Sequence, residues 1–357
     1  MERTKTNSIK ISKQIKAKVL NDKQSPKKEK GYDGDVSKMI STGSTLLDLA
    51  ISGGRVRGGK IPGGILVEIF GPNSAGKTVL LCEIAGAIQR QGGKAKFYDP
   101  EARLNKLFAK IFDFDTDQID YATPDTVTEV FEDARAWEPK ADKKNVIHGL
   151  FTDSLAALST DLEMDNEKGD KMGTRRAKEF SEQLRKTCRV LTKNGWLFVC
   201  SNQVRQNVDA GGYGEKYTTS GGLSIGFYAS LRLRAKSTEK LYKIVKVAGK
   251  EVKRVIGVKT EFEIYKSSVW KPYRSAPVYI VFDYGIDDVR ANLQYIKDFT
   301  KNTTYTLAGE SISQSLEEAI KYIEENELEQ ELKEEVIDLW EEIENKFSSD
   351  RKSKRRD

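Results

Sequence analysis

The 357-residue chain has one histidine, His148, and three cysteines, Cys82, Cys188 and Cys200. A single imidazole removes most zinc and Ser–His–Asp chemistries from consideration, because those need several imidazoles or one beside a nucleophile. The cysteines are scattered through apolar-patterned stretches without metal-ligand spacing, so they read as reduced core residues. No apolar run approaches the roughly 20 residues that a membrane span requires. The first residues, Met-Glu-Arg-Thr-Lys-Thr, contain no apolar leader segment, and the chain reads as cytoplasmic with no membrane partner. With these chemistries removed, catalysis falls to carboxylates and lysines.

What is present is a globular composition, 38% hydrophobic, with a net charge of +6 that is unevenly placed. Lysines crowd the first 30 residues, Arg351 to Arg356 is nearly all basic, and 317–344 is dense in Glu. Basic ends of this kind bind polyanions or are simply solvated. The organisation expected is a basic arm and linker over 1–37, a core over 38–290, a small helical subdomain over 291–347 and a basic tail over 348–357. Within the core, strand-like runs at 65–70, 95–99, 146–152 and 196–201 alternate with helix-period segments at 78–91, 126–137 and 175–193. This alternation predicts an α/β fold with a mostly parallel central sheet flanked by helices. Further strands are expected at 229–235, 262–265 and 278–282. Near the C-terminus, Leu332, Val336, Trp340, Ile343 and Phe347 fall on one helical face.

The stretch Gly71-Pro72-Asn73-Ser74-Ala75-Gly76-Lys77-Thr78 fits G-x-x-x-x-G-K-[ST], with a strand before it and a helix after it. Such a loop turns backbone N–H groups toward phosphates, and the helix N-terminus adds partial positive charge. Lys77 would bridge the β- and γ-phosphates of ATP, and the Thr78 hydroxyl would ligate Mg²⁺. A second anchor for the ion is Asp153, at the end of the apolar run from Val146 to Thr152; the bland alternative is a helix cap. The run Lys96-Phe-Tyr-Asp-Pro-Glu101 also ends in acids, and Glu101 is placed to reach water near the γ-phosphate unless it is an ordinary surface acid.

Six stretches in order, "ISTGSTLLDLAI", "VEIFGPNSAGKT", "FYDPEARLN", "LFTDSLAAL", "CSNQVRQ" and "TTSGGLSIGFYASLRLR", resemble the RecA-type recombinases over residues 38–345. The resemblance implies a RecA-like P-loop NTPase core with ATP and Mg²⁺ bound. It makes Glu101 the acid that activates water, places Asn105 and Phe108 against adenine, and makes Gln203 the sensor of the γ-phosphate. It also implies two DNA-contacting loops. The first, near 164–176, brings Met172 as an apolar insertion point with Arg175, Arg176 and Lys178 as phosphate-binding cations. The second, 204–222, brings Arg205 and Lys216 for phosphates, Val208 and Tyr213 for bases, and Gly221 and Gly222 for close backbone approach.

The family sets two lysines, spaced by one residue, against a neighbour's nucleotide. Here Lys266 keeps the first position and Ser268 replaces the second. Phe227 matches a family interface residue, which the resemblance implies would relay nucleotide state between subunits, with simple packing as the plainer reading. The function expected is a DNA-dependent ATPase that forms filaments on single-stranded DNA, pairs it with homologous duplex DNA and exchanges strands in recombination and repair. The alternatives are a DNA-binding mediator or a helicase-like ATPase on the same core; a small-metabolite kinase fits the long Gly-rich loop poorly.

Overall fold

The computed structural model describes residues 38–140, 146–160, 172–206, 217–219 and 223–348. The expected basic arm and tail, and the central parts of both expected DNA loops, lie outside these residues. Among the described residues no helix is long and apolar enough to cross a membrane.

The chain runs β1 (Met39–Ile40), α1 (Thr45–Ser52), β2 (Ile61–Pro62), β3 (Leu66–Gly71), α2 (Lys77–Arg90), β4 (Ala95–Tyr98), α3 (Lys106–Lys110), β5 (Asp120–Ala122), α4 (Val127–Ala136) and β6 (Gly149–Thr152). It continues with α5 (Met172–Asn194), β7 (Leu197–Gln206), β8 (Tyr217–Thr219), α6 (Leu223–Tyr228), β9 (Leu231–Val247), β10 (Lys250–Ser267), β11 (Ser275–Val281) and β12 (Gly285–Ile286). The last elements are α7 (Asp288–Thr300), β13 (Tyr305–Leu307), β14 (Glu310–Ser313), α8 (Leu316–Glu325) and α9 (Glu329–Lys346).

The main sheet has the order β12-β11-β10-β9-β3-β7-β6-β4-β5. From β9 to β5 every pair is parallel; β9 to β12 are antiparallel to one another. Every residue of β3 and β6 is buried, which is why these strands read as nearly continuous apolar runs, interrupted in β3 by Glu68, rather than alternating ones. Leu66, Tyr98, Leu150, Phe198 and Cys200 join one face of the sheet to a core with α4, α5 and α6. The residues between them, Val67, Phe97, Phe151 and Val199, are equally buried and point to the opposite face, where α2 packs. Local signals set the ends: Thr126 caps α4 with Glu129 returning the bond in a capping box, and Ser44 caps α1.

The compact unit that holds this sheet ends at Asp288, and a second begins at Val289. In the second, α8 and α9 bury Ala319, Ile323, Leu332, Val336 and Trp340. The burial of the expected apolar stripe ends there: Ile343 is half-buried and Phe347 is 78% exposed.

The strands expected at 229–235 and 262–265 are the bases of a much longer hairpin, turning at Ala248–Gly249. Its base is flanked by β3 and β11, but from Lys240 to Val255 its strands pair only with each other.

Candidate nucleotide site

The ends of β3, β4, β6 and β7 converge because the four strands are adjacent and parallel, with Gly71 opposite Gln203 and Tyr98 opposite Thr152. Ligands gather at such carboxyl ends in open α/β sheets. A cavity of about 340 Å³ lies there, lined by Ser74, Lys77, Thr78, Glu101, Asp153 and Gln203 among others.

The loop between β3 and α2 holds Ser74 at φ 59° and Gly76 at φ 81°. A side chain at Gly76 is barred twice, by that left-handed backbone and by Ile280, whose Cδ1 would lie 2.2 Å from an added β-carbon. No side chain caps the N-terminus of α2, so its first N–H groups remain open to an anion. Lys77 Nζ donates to the carbonyls of Gly71 (3.1 Å) and Pro72 (2.7 Å), which folds its ammonium into the loop. Burial lowers the Lys77 pKa, opposed by the Asp153 carboxylate.

Thr78 Oγ1 donates to Asp153 Oδ2 at 2.5 Å, and Ser201 donates to the other carboxylate oxygen. The hydroxyl–carboxylate pair suits a hard, oxygen-loving cation. Among the described residues no group of three or more His, Cys, Asp or Glu side chains could hold a metal by itself. A cation here must bring its other ligands, which is how Mg²⁺ binds with phosphates and water. Ser154 lines the same cavity, and its buried Oγ has no hydrogen-bond partner, as expected of a group waiting for a ligand.

Asp99 is buried, accepting the Leu104 amide at 2.7 Å and the Tyr121 hydroxyl at 2.9 Å. Those bonds fix the turn that carries Glu101 into the cavity. Glu101 is half-buried and ion-paired with Arg103 at 2.9 Å.

A second, more apolar cavity of about 520 Å³ adjoins the other side of the loop. Phe108, Ile111 and Phe112 form one wall, with Phe108 edge-on to Phe112 at 5.0 Å. Val258, Ile280 and Phe282 come from β10 and from the end of β11 and just beyond it. A slot walled by rings and branched aliphatics, opening beside a phosphate loop, suits a planar base. Sequence reading missed Val258, Ile280, Phe282 and Asp283, since no motif links them to a loop some 200 residues earlier. Asn105, expected on adenine, lines neither cavity; its side-chain oxygen caps α3, accepting from the Leu107 and Phe108 amides.

Residues 29–287 match the RecA N-terminal domain family. The chain belongs to the RecA family. It is 33% identical to Protein RecA of Synechocystis sp. over 301 residues, covering 82% of this chain and 80% of that one. It is 32% identical to Protein RecA of Deinococcus radiodurans over 306 residues, covering 84% and 79%, and 33% identical to that of Borrelia turicatae over 298 residues, covering 82% and 78%.

In this RecA-family chain only parts of the two expected DNA loops lie among the described residues. Met172, Arg175 and Arg176 lie in the first turns of α5, their side chains outside the described residues, and Lys178 on the same helix is exposed. Val208, Tyr213, Lys216, Gly221 and Gly222 also lie outside them. The root of the second loop is ordered rather than irregular: Val204 to Gln206 pair antiparallel with Tyr217 to Thr219, so Arg205 sits on a strand opposite Thr218.

Lys266 does not line the nucleotide cavity of its own chain. Its Nζ donates to the carbonyls of Gly226 (2.9 Å) and Phe227 (2.8 Å), at the C-terminal end of α6. There burial lowers its pKa, with the Arg232 charge acting the same way. Phe227 is 78% exposed, with its ring edge-on to Tyr228 at 5.4 Å, so core packing does not account for it.

Proposed function

We propose that this RecA-family protein is a cytoplasmic, DNA-dependent ATPase that polymerises on single-stranded DNA, pairs it with homologous duplex DNA and exchanges strands. The observation that carries this reading is the meeting of the uncapped α2 N-terminus, Lys77, the Thr78–Asp153 pair, Glu101 and Gln203 around one cavity.

The loop amides and Lys77 hold the β- and γ-phosphates once Lys77 leaves the Gly71 and Pro72 carbonyls. Thr78 and Asp153 hold Mg²⁺, which supplies neutralising charge to the phosphates. Glu101, freed from Arg103, takes the proton of the attacking water. Gln203 reaches the γ-phosphate and reports its loss to the second DNA loop, which leaves the same strand three residues later. Phe108 and the apolar cavity take adenine. Met172, Arg175, Arg176, Lys178, Arg205, Val208, Tyr213, Lys216, Gly221 and Gly222 grip the DNA backbone and bases, leaving sequence matching to base pairing. Lys266 completes a neighbouring subunit's site.

The decisive experiment measures ATP hydrolysis with and without single-stranded DNA, in wild type and in Glu101→Gln. Wild type is expected to be DNA-stimulated. The variant is expected to lose turnover by about 10²–10⁴-fold, the usual worth of a general base, and to keep ATP-dependent DNA binding. Ser268, standing where the family has a second lysine, favours one rival, a mediator that binds ATP without turning it over. Absence of hydrolysis in wild type would establish that rival. Unwinding of a forked duplex without strand exchange would instead establish a helicase.

A further inference from the structure

Apart from Ser74, Lys77 and Thr78 of the phosphate loop and its helix, the apolar cavity has a single polar lining residue, Asp283. It sits in the turn between β11 and β12, where the Tyr284 amide donates to the Val281 carbonyl at 3.2 Å. As the third residue of that turn it has φ 63°, a conformation that glycine adopts without strain. The chain places a carboxylate there instead. Both sides of the turn are braced at the slot. The Phe282 amide donates to the Ile256 carbonyl at 2.8 Å, and a β-carbon added at Gly285 would come within 3.3 Å of the Phe112 ring. The carboxylate is therefore carried on a short, fixed turn rather than on a loose loop. It is exposed, and among the described residues neither a cation nor a hydrogen-bond donor engages it.

The residue expected to read the base is already engaged elsewhere. Asn105 lines neither cavity, and its side-chain oxygen accepts the Leu107 and Phe108 amides. Asp283 is thus the side chain left to meet a base edge in the slot.

An ionised carboxylate offers only acceptors. Adenine presents a 6-amino donor, which a carboxylate accepts; hypoxanthine and guanine present a 6-oxo group, which it repels. Guanine can instead turn its N1–H and 2-amino donors toward a carboxylate. Its 6-oxo group then needs a donor of its own, and no lining side chain outside the phosphate loop and its helix supplies one. We propose that Asp283 is a specificity residue that selects adenine, its carboxylate accepting the 6-amino group of a base held in the apolar slot. The inference rests on the nucleotide-site reading above and deepens it: rings and aliphatics hold any purine, and the carboxylate sets which one.

The test uses the full chain without DNA and measures its affinity for ADP, inosine diphosphate and guanosine diphosphate. These share ribose and phosphates and differ only in the base edge. Wild type is expected to bind ADP at least about tenfold more tightly than either rival, the low end of what a hydrogen bond to a charged group contributes. Asp283→Asn keeps the size and the turn but adds amide N–H donors. It is expected to gain affinity for inosine diphosphate, closing the ratio to within about threefold. Asp283→Gly suits the turn and removes the carboxylate, and is expected to bring the ratio to about one through loss of ADP affinity. A purely structural role would shift all three nucleotides together and leave the ratio alone. A ratio unchanged in either folded variant, equal binding of the three by wild type, or a preference for guanine overturns the proposal while the phosphate site stands. Wild type that binds none of the three would refute the nucleotide-site reading itself, and this inference with it.

Discussion

Glu83 on α2 brings its carboxylate beside Gly43 and Gly285, where it accepts the Ile286 amide. Burial raises its pKa to about 7, and Asp113 and Asp288 add to the rise against Arg90 and that amide bond. Unfolded, the group titrates near its ordinary 4.5. Between those values the native chain keeps a proton that the unfolded chain has lost. Stability therefore falls as pH rises through this window, and the loss is complete above about 7, amounting to at most about 3 kcal/mol. Glu83→Gln removes the titration. It is expected to raise the melting temperature at pH 8 and to leave it nearly unchanged at pH 4.5; equal effects at both would refute this assignment. The sequence did not reveal Glu83, because its burial is created by β12, far away in the chain. It did point to Lys77, Thr78, Asp153 and Glu101, which line one cavity because their positions depend on local spacing and on the ends of adjacent strands. Asn105 shows the reverse: expected against adenine, its side chain instead caps α3.

At the scale of elements, strands buried on both faces were legible as apolar runs, but the β9–β10 ribbon was not. Between Glu239 and Lys259 it carries seven cations and two acids, interleaved with Tyr242, Ile244, Val245 and Val247, all 46–58% exposed. That pattern offers no apolar face, since both sides of the free ribbon meet solvent, and its lysines discourage pairing with other strands. Cross-strand pairing and the Ala248–Gly249 turn hold it instead, aided by Lys253 over the Tyr242 ring at 4.1 Å. It therefore adds little to the stability of the core. Joining Tyr242 to Val255 through an Asn-Gly turn deletes Lys243–Arg254 but keeps Ile256, whose carbonyl accepts the Phe282 amide beside the apolar cavity. The shortened chain is expected to melt within about 2 °C of wild type in calorimetry. A much larger fall would mean that the ribbon packs on something that its exposure does not suggest.

At the scale of the assembled molecule, the question is which subunit's lysine serves which nucleotide. Lys266 is held on α6 of its own chain and is absent from its own cavity, next to the exposed Phe227. A head-to-tail contact that does not close generates a helical polymer, and in such a polymer each cavity meets the next subunit's surface. Mixing two inactive chains tests this directly. Glu101→Gln supplies an intact Lys266 but no base; Lys266→Ala supplies an intact pocket but no lysine. Each alone is expected to hydrolyse little ATP on single-stranded DNA. In a random equal mixture, a Lys266→Ala pocket faces a Glu101→Gln neighbour at about one site in four, so activity should recover toward roughly a quarter of wild type. If Lys266 served its own chain's pocket, no arrangement of neighbours would unite base and lysine, and the mixture would stay as inactive as its parts.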